Sequence, residues 1–305
     1  MLTRRTFLAS ALSVPAANAN GSNIRIATSG FMWQQEIEEG IRATARMGFH
    51  GIEPFRSHIL KYLDDPLALK AQLDAAGISL VTCSNGGKMS VNFIDPAKVK
   101  QTIEDHFVFA RDFIAKFGCK HFKINLGVRP EGGPSREQLT TMANALTELG
   151  KRTADVGLRL APHPHIWSPL ERPEEVKTVL DETDPRYVGM VADTAHLTLG
   201  GMDPAKVIND YYDRVAALHF KDTEPKYVGY AGPTPTREQH RELTLYKNLG
   251  TGGVDFPAIL KILRQRGYNG WITLDLDPPR PGAGTIEENL DINKRYLREK
   301  LSIEL

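Results

Sequence analysis

Four residues that together could bind a metal ion lie at or beside the ends of short apolar runs in the second half of the chain. His163 follows the run LRLAP, Asp193 ends YVGMVAD, His219 lies in VAALHF, and Asp275 lies in WITLDL. A mixed set of imidazoles and carboxylates suits a borderline divalent ion such as Mn, Co, Zn, Ni or Fe. Mg and Ca prefer oxygen ligands and suit the set less well. We therefore predict a site for a borderline divalent metal.

Each of these four residues also has an ordinary structural interpretation. A histidine can be a hydrogen-bonded core residue, Asp193 could cap a helix or turn at 194–198, and Asp275 could accept hydrogen bonds in the loop before Pro278. Buried parallel strands usually carry Val, Ile or Leu at such positions. Because all four polar residues lie at the ends of consecutive strand-like runs, the metal site is the favoured interpretation.

Candidate acids and bases for proton transfer lie near the same run ends. They are Glu53, His165, Lys221 and Asp277. His165 is favoured as the general base, because an imidazole titrates near neutral pH. Glu53 could equally be the partner of Lys123 in a buried salt bridge, which is the alternative to an acid–base role.

A second group of residues is predicted to contact the substrate. His196 and Lys123 could bind a hydroxyl group or an oxyanion, and Asp277 lies in the loop after the last run. Trp33 could stack on a sugar ring or belong to the core. The long segment 222–253 contains Arg237 and His240 and could be a lid over the site or an oligomer contact.

The elements that must position these residues alternate regularly along the chain. Strand-length apolar runs are followed by longer segments with apolar residues at three- and four-residue spacing, which indicates βαβ units. The predicted strands are 24–28, 50–54, 78–83, 120–126, 158–162, 187–193, 215–220 and 271–276. Eight such units in residues 20–305 predict a single α/β domain, a (β/α)8 barrel with its active site at the carboxyl ends of the strands. A doubly wound sheet is disfavoured, since no G-x-G-x-x-G turn follows the first strand.

The first nineteen residues have the features of an export signal. Arg4 and Arg5 precede an apolar run, 7–17, that ends in the cleavage-like triplet Ala-Asn-Ala at 17–19. The arginine pair resembles a twin-arginine signal. A general secretory signal and a frayed terminus are the alternatives. We expect a mature, periplasmic protein from about residue 20, with no stable membrane anchor.

Composition excludes several classes of partner. The chain has 305 residues, 25% of them charged, and a net charge of +1, with no basic cluster that would favour nucleic acid. Its two cysteines, Cys83 and Cys119, are predicted to be buried free thiols. We expect a small carbohydrate or polyol as substrate and allow for a homo-oligomer.

Four motifs in the second half of the chain resemble the xylose-isomerase-like superfamily, the sugar phosphate isomerase/epimerase family. The motifs are VADTAH at 191–196, ALHFKD at 217–222, GGVDF at 252–256 and ITLD at 272–275. The resemblance implies a TIM barrel and a divalent-metal-dependent enzyme. In the epimerases the metal ligands are Glu, Asp, His and Glu, and the matching positions here are His163, Asp193, His219 and Asp275. His163 and Asp275 thus replace the two glutamates that move protons in the epimerases.

The sequence His163-Pro164-His165 and the stretch 184–222 are similar to the inosose dehydratase branch. That resemblance implies a lyase that removes water from a keto-polyol, or an isomerase, through an enediolate. Export and the lack of a phosphate-binding glycine loop favour a neutral keto-sugar, inosose or 3-keto-glycoside. The alternatives from other classes are a non-catalytic sugar-binding barrel and a metal-dependent phosphodiesterase or endonuclease; the latter is disfavoured because no basic surface is evident.

Overall fold

The computed structural model describes residues 23–305, and its strands confirm the predicted α/β barrel. The ten strands are β1 (Asn23–Ser29), β2 (Gly51–Glu53), β3 (Ser79–Leu80), β4 (His121–Ile124), β5 (Arg159–Pro162), β6 (Met190–Asp193), β7 (Val215–Phe220), β8 (Asp222–Thr223), β9 (Tyr246–Lys247) and β10 (Asn269–Leu274). Strands β1 to β7 and β10 are the eight predicted from the sequence. The pair β8 and β9 was not predicted.

The eight barrel strands are parallel neighbours in chain order. Six of them pair in the order β3-β2-β1-β10-β7-β6, and β4 pairs with β5. A bridge between Leu160 and Val188 links β5 to β6. The Thr82 hydroxyl links the segment after β3 to β4, because it donates to the His121 carbonyl and accepts from the Lys123 amide. These links complete the circle, so the carboxyl ends of all eight strands surround one face.

Helices cover the outside of the barrel. They are α1 (Ile37–Arg46), α2 (Pro66–Ala76), α3 (Pro96–Asp112), α4 (Arg136–Ala154), α5 (Pro173–Glu182), α6 (Thr194–Leu199), α7 (Pro204–Asp210), α8 (Arg237–Leu243), α9 (Phe256–Gln265) and α10 (Ile286–Leu301). Asp95 and Asp203 cap α3 and α7, each followed by a proline at the first helical position.

The alternation of side chains along the strands decides which residues enter the barrel. Ala161, Val191 and Ala217 pack together as one small cluster of buried residues from β5, β6 and β7. Two positions further along each strand or its end come His163, Asp193 and His219, which therefore lie on the same inner face. Small apolar residues thus fill the middle of the barrel, and the polar groups lie in the layer above them.

The segment 222–253 forms an insertion between β7 and α9, in which β8 and β9 pair antiparallel and α8 lies at the far end. The Asp222 carboxylate fixes its base by accepting from the amides of Gly250, Gly252 and Val254. A side chain on Gly252 would come within 2.3 Å of that carboxylate. The glycine-rich turn therefore allows Asp222 to close the insertion.

Both cysteines are buried and free, as expected. No helix within residues 23–305 is both long enough and apolar enough to cross a membrane. The predicted export signal at 1–19 lies outside the described residues.

Candidate active site and metal centre

Three of the predicted metal ligands converge at the carboxyl ends of β5, β6 and β7. Their ligand atoms, His163 Nε2, Asp193 Oδ2 and His219 Nδ1, all lie within 4.8 Å of one another. The three atoms are buried, and each lacks a hydrogen-bond partner in the described part of the chain. A buried polar atom without a partner is costly, and here three such atoms face one another. These residues can hold a metal ion.

The spacing of these atoms fits a small coordination sphere. Asp193 Oδ2 lies 3.6 Å from His163 Nε2 and 3.4 Å from His219 Nδ1. Asp275 Oδ2 lies 3.5 Å from His219 Nδ1. Neighbouring ligands about 2.0–2.2 Å from a tetrahedral zinc ion are about 3.3–3.6 Å apart, so each of these three contacts has the spacing of neighbouring ligands. Asp275 also forms a group with Asp193 and His196, so His196 offers a further ligand atom.

Hydrogen bonds on the far side of each imidazole orient the ligand atoms. His219 Nε2 lies 3.0 Å from Glu53 Oε1, and His163 Nδ1 lies 3.3 Å from Asn125 Oδ1. Both acceptors are oxygens, so each ring donates its outer N–H and directs its other nitrogen toward the ligand group. This arrangement is typical of histidines that bind metals. Sequence reasoning assigned no role to Asn125, since only the fold brings it beside His163.

The two carboxylate oxygens of Asp193 have different roles, one in the ligand group and one in the cap of α6. Its Oδ1 accepts a hydrogen bond from the His196 amide and caps α6, and its Oδ2 faces His163 and His219. The capping interpretation and the ligand interpretation of Asp193 are therefore compatible. The cap holds the carboxylate in one orientation.

The electrostatic surroundings of the two imidazoles differ. Burial, helped by the Lys123 ammonium, lowers the pKa of His163 to about 3. Burial also opposes charge on His219, but the Glu53 carboxylate outweighs it and raises the pKa of His219 to about 10. In the protein chain alone, a proton on His219 supplies positive charge between Asp193 and Asp275. A metal ion bound there would displace that proton.

His165 and His196 lie side by side next to the ligand group. Their ring centroids are 3.6 Å apart. His165 Nδ1 donates to the Ile166 carbonyl, which leaves Nε2 as an acceptor, and burial lowers the pKa of His165 to about 4. His196 Nδ1 lies 3.4 Å from the Tyr246 hydroxyl. Burial and the neighbouring His165 hold the pKa of His196 well below its usual value, so both rings are neutral, and His165 is the more exposed of the two. The pKa of His165 thus lies below the near-neutral value for which the sequence favoured it as the general base.

Lys221 is held as an ammonium ion at the mouth of the barrel. Its Nζ lies 2.9 Å from Asp277 Oδ1 and 3.3 Å from Asp275 Oδ2, and 4.0 Å from the centre of the Tyr246 ring. Burial alone would lower the pKa of Lys221, but Asp275 and Asp277 raise it well above its usual value. The ammonium can stabilise an oxyanion or donate a proton, but it is not a general base.

Glu53 and Lys123 form a buried ion pair. Lys123 Nζ lies 2.9 Å from Glu53 Oε1, and each side chain is only 2% exposed. Thr273 Oγ1 also donates to Glu53 Oε2. Although burial would raise the pKa of Glu53, the charges of Lys123 and His219 hold it far below its usual value. With His219, Lys123 and Thr273 as its partners, Glu53 orients His219. The prediction that Glu53 moves protons and that Lys123 binds substrate is not supported by this arrangement.

Trp33 and Arg237 each pack against another side chain. Trp33 belongs to the main hydrophobic core and lies next to Gly40 of α1, so it has the core role that was the alternative to sugar stacking. Arg237 stacks on Trp167, with its guanidinium carbon 4.6 Å from the ring centroid. This contact secures the insertion.

His240 and Asp277 lie at the edge of the site. His240 Nε2 in α8 is 3.3 Å from Asp277 Oδ2. The insertion is fixed on both sides, because the Trp167 indole donates to the Pro235 carbonyl and Arg280 donates to the Arg241 carbonyl. The segment 222–253 therefore covers part of the barrel mouth.

A cavity of about 500 Å³ opens beside the reactive groups. Asp277, Tyr246 and His240 line its inner side, and its outer wall includes Phe31, Leu276, Pro278 and Pro279. Two basic side chains in its wall have partners: Lys247 Nζ lies 3.3 Å from Glu224 Oε1, and Arg280 donates to backbone carbonyls of α8, which do not neutralise its charge. The cavity thus combines charged groups with a partly apolar surface.

Comparison with known proteins agrees with this geometry. A family model described as "Xylose isomerase-like TIM barrel" matches residues 41–299. The chain belongs to the xylose isomerase-like TIM barrel family. This membership confirms the resemblance and the barrel fold expected from the sequence.

Named members of the xylose isomerase-like family are similar to nearly the whole chain. An inosose dehydratase of Clostridium botulinum (strain Alaska E43 / Type E3) is 25% identical over 290 residues, 88% of this chain and 91% of the relative. An inosose dehydratase of Lacticaseibacillus casei is 26% identical over 288 residues, with 88% and 90% covered. The crystal structure of the IolI protein with a bound zinc atom has a TM-score of 0.72 at 17% identity, with 91% and 98% covered.

The Glu53–Lys123 pair leads to a prediction about stability. Replacing Glu53→Gln leaves the Lys123 ammonium buried without a counter-ion, so we expect the free energy of unfolding to fall by about 3–5 kcal/mol at pH 7. The folded-state pKa of Glu53 lies below its unfolded value of about 4.3, so its contribution is complete above that pH and is lost as the pH falls. Urea denaturation of both proteins at several pH values measures the difference.

The matched control is the double variant Glu53→Gln/Lys123→Met, which removes the unpaired charge. It should regain much of the lost stability. Equal stability of Glu53→Gln and the wild-type protein at pH 7 would contradict this account of the ion pair.

Proposed function

We propose that this protein is a divalent-metal-dependent lyase that eliminates a β-substituent from a keto-sugar, an inosose or a 3-keto-glycoside. The observation that carries the proposal is the convergence of three unpartnered buried atoms, from His163, Asp193 and His219, beside the Lys221 ammonium and the neutral His165 ring. The similarity to inosose dehydratases supports a sugar-modifying lyase or isomerase. An isomerase that interconverts ketoses is the alternative within the same chemistry.

The metal would be held by His163, Asp193, His219 and Asp275. When bound, it would polarise a substrate oxygen and lower the energy of the negative charge that develops there. Zn, Mn, Co and Fe all suit this ligand set. The zinc in the IolI structure, which shares the fold, makes zinc the first metal to assay.

His165 is the residue best placed to take the proton. Its Nδ1–H is committed to the Ile166 carbonyl, so its Nε2 lone pair is the one available to a substrate. His165 is only partly buried and lies against His196, next to the ligand group. It would remove the C–H proton α to the substrate carbonyl and leave an enediolate. The Lys221 ammonium lies on the other side, where it can stabilise that oxyanion.

Elimination follows when the enediolate electrons re-form the carbonyl and create a carbon–carbon double bond. The bond to the β-oxygen breaks, and that oxygen leaves with a proton as water or as an alcohol. The substrate thus loses H–OR and becomes an enone, with no change in net redox state. His163 and Asp275 replace the two glutamates that exchange protons on opposite faces in the epimerases, which favours elimination over epimerisation.

The cavity beside Asp277 bears on the size of the substrate. A cavity of about 500 Å³ is within the range of small-molecule sites, roughly 300–1,000 Å³. Asp277 and Arg280 bring opposite charges to its lining, and Phe31, Leu276 and Pro278 give it apolar surface for an organic substituent. Phe31 and Pro278 could contact the face of a second ring. This supports a keto-glycoside, whose aglycone would occupy the cavity.

The proposed metal site predicts a defined metal content. After removal of metal with a chelator, the wild-type chain should bind about one equivalent of Zn, Mn, Co or Fe, measured by elemental analysis. His163→Ala and Asp275→Ala each remove one ligand, so their affinity should fall by at least tenfold. His121→Ala is the control, because it removes a buried imidazole that is outside the ligand group.

A wild-type chain that carries no stoichiometric divalent metal, and gains no stability when one is added, rejects the metal site. That result would favour the non-catalytic sugar-binding alternative.

The proposed reaction predicts a new absorbance. Incubation with an inosose or a 3-keto-glycoside in heavy water should produce the ultraviolet absorbance of an enone. His165→Gln should lower kcat by about 10²- to 10⁴-fold, because it removes the base, and should keep its metal. Deuterium incorporation into substrate without any enone would instead identify an isomerase. Phe31→Ala should lower kcat/KM for the keto-glycoside more than for the inosose.

We further propose that residues 1–19 direct export by the twin-arginine route. Arg4→Lys/Arg5→Lys keeps the positive charge but removes the arginine pair, so it should block a twin-arginine signal and spare a general secretory one. Fractionation of cells that express the full chain measures the periplasmic share. Export and processing that match the wild-type protein would reject the twin-arginine route.

A further inference from the structure

A row of buried polar groups connects the metal-facing His163 to helix α3. Asn125 follows β4 and contacts His163, Asn85 lies in the segment after β3 and contacts Asn125, and His106 in α3 contacts Asn85. Asn85 is 1% exposed and His106 is fully buried. Neither residue touches the ligand group, and the proposed reaction uses neither of them.

The direction of the hydrogen bonds in this row is fixed from its outer end. His106 Nδ1 lies 2.7 Å from the Thr102 carbonyl, which only accepts, so Nδ1 carries the hydrogen. His106 Nε2 therefore accepts from Asn85 Nδ2, which is 2.7 Å away. This bond sets the orientation of the Asn85 amide.

The Asn85 amide then holds the backbone of Asn125 at two points. Asn85 Oδ1 accepts from the Asn125 amide at 2.7 Å, and Asn85 Nδ2 donates to the Asn125 carbonyl at 2.9 Å. Strand β3 ends at Leu80, and within residues 23–305 strand β4 pairs only with β5, so β3 does not pair with the backbone at Asn125. The Asn85 side chain thus supplies the hydrogen bonds that a neighbouring strand would supply.

We propose that Asn85 and His106 are positioning residues for the metal ligand His163. They hold Asn125 where its Oδ1 accepts the Nδ1–H of His163, and this keeps the Nε2 lone pair directed at Asp193 Oδ2, 3.6 Å away. If Asn85 turned its amide over, two N–H groups would face each other at Asn125, and the contact to His163 would shift. This inference rests on the proposed metal function.

The test compares metal binding in two variants of His106. His106→Phe keeps a ring that can pack against Phe93 and Phe122 but removes the acceptor for Asn85. His106→Gln restores an acceptor oxygen. Outer partners of metal-bound histidines affect affinity by about 10–100-fold, so we expect zinc affinity to fall by about tenfold in His106→Phe and to recover largely in His106→Gln. Competition with a chelator measures the affinity.

Cobalt substitution provides a readout other than affinity. A change in the visible absorption of bound Co(II) in His106→Phe, reversed in His106→Gln, would show that the ligand His163 has moved. Asn125→Ala, which removes the acceptor for His163 directly, should produce the same spectral change. Asn293→Leu is the control for lost stability alone, since it removes a buried amide that holds Leu249 on the other side of the barrel.

The outcomes separate this inference from the proposed function. The positioning role alone is overturned if the wild-type chain binds metal and both His106→Phe and Asn125→Ala keep the wild-type affinity and cobalt spectrum. The same spectral change in Asn293→Leu would also overturn it, because general destabilisation would then be sufficient. If the wild-type chain binds neither zinc nor cobalt, both the proposed function and this inference are overturned.

Discussion

The arrangement of the site depends on buried polar atoms that face one another inside the barrel. His163 Nε2, His219 Nδ1 and Asp193 Oδ2 are buried, unpartnered and within 4.8 Å. Such a group is unfavourable in a low-dielectric interior unless a positive charge lies among its members. Neither ring can turn to relieve this contact without breaking its outer hydrogen bond, to Asn125 or to Glu53. The surrounding polar residues therefore maintain a place for a cation.

Two buried lysines near this group have different consequences for chemistry. Lys123 is 2% exposed and is neutralised by Glu53 behind His219, so it contributes to the orientation of a ligand. Lys221 lies beside Asp275 and Asp277 and against Tyr246, and two of these neighbours, Asp277 and Tyr246, line the cavity. The same residue type at the ends of two separate strands thus orients a ligand in one case and lies next to the cavity lining in the other. The difference comes from which carboxylates the fold places beside each ammonium.

The eight strands and the ligand residues could be predicted because both depend on local periodicity. Alternation along a strand decides which side chains face inward, and position at a strand end places them at one face of the barrel. Asp193 and His219 follow directly from these two rules. The rules also placed Lys123 and Glu53 at the face and allowed a salt bridge between them as one of two alternatives, but the choice depends on a contact between strands 70 residues apart in the sequence. The spacing of apolar residues around Trp33 likewise does not distinguish a core residue from one that stacks on a sugar ring.

Contacts between side chains on separate elements were beyond prediction from one sequence. Asn85 and His106 are 21 residues apart, and Asn85 and Asn125 are 40 residues apart, so no spacing rule joins them. The β8–β9 pair has strands of two residues each, too short to produce an alternating pattern. Its position is set instead by Asp222, which accepts hydrogen bonds from the amides of a distant glycine-rich turn. Such features are determined by packing and by the need to satisfy buried polar groups.

The replacement of glutamate by His163 changes the charge of the site as well as its acid–base groups. A ligand set of two neutral imidazoles and two aspartates has a charge of −2, so a divalent cation would bring it to zero. A set of Glu, Asp, His and Glu has a charge of −3 and would remain at −1. An enediolate develops negative charge next to the ligands, and it is stabilised more by a neutral centre flanked by Lys221 than by an anionic one. The proposed ligand set would therefore favour an enediolate, through which both the proposed elimination and its isomerase alternative pass.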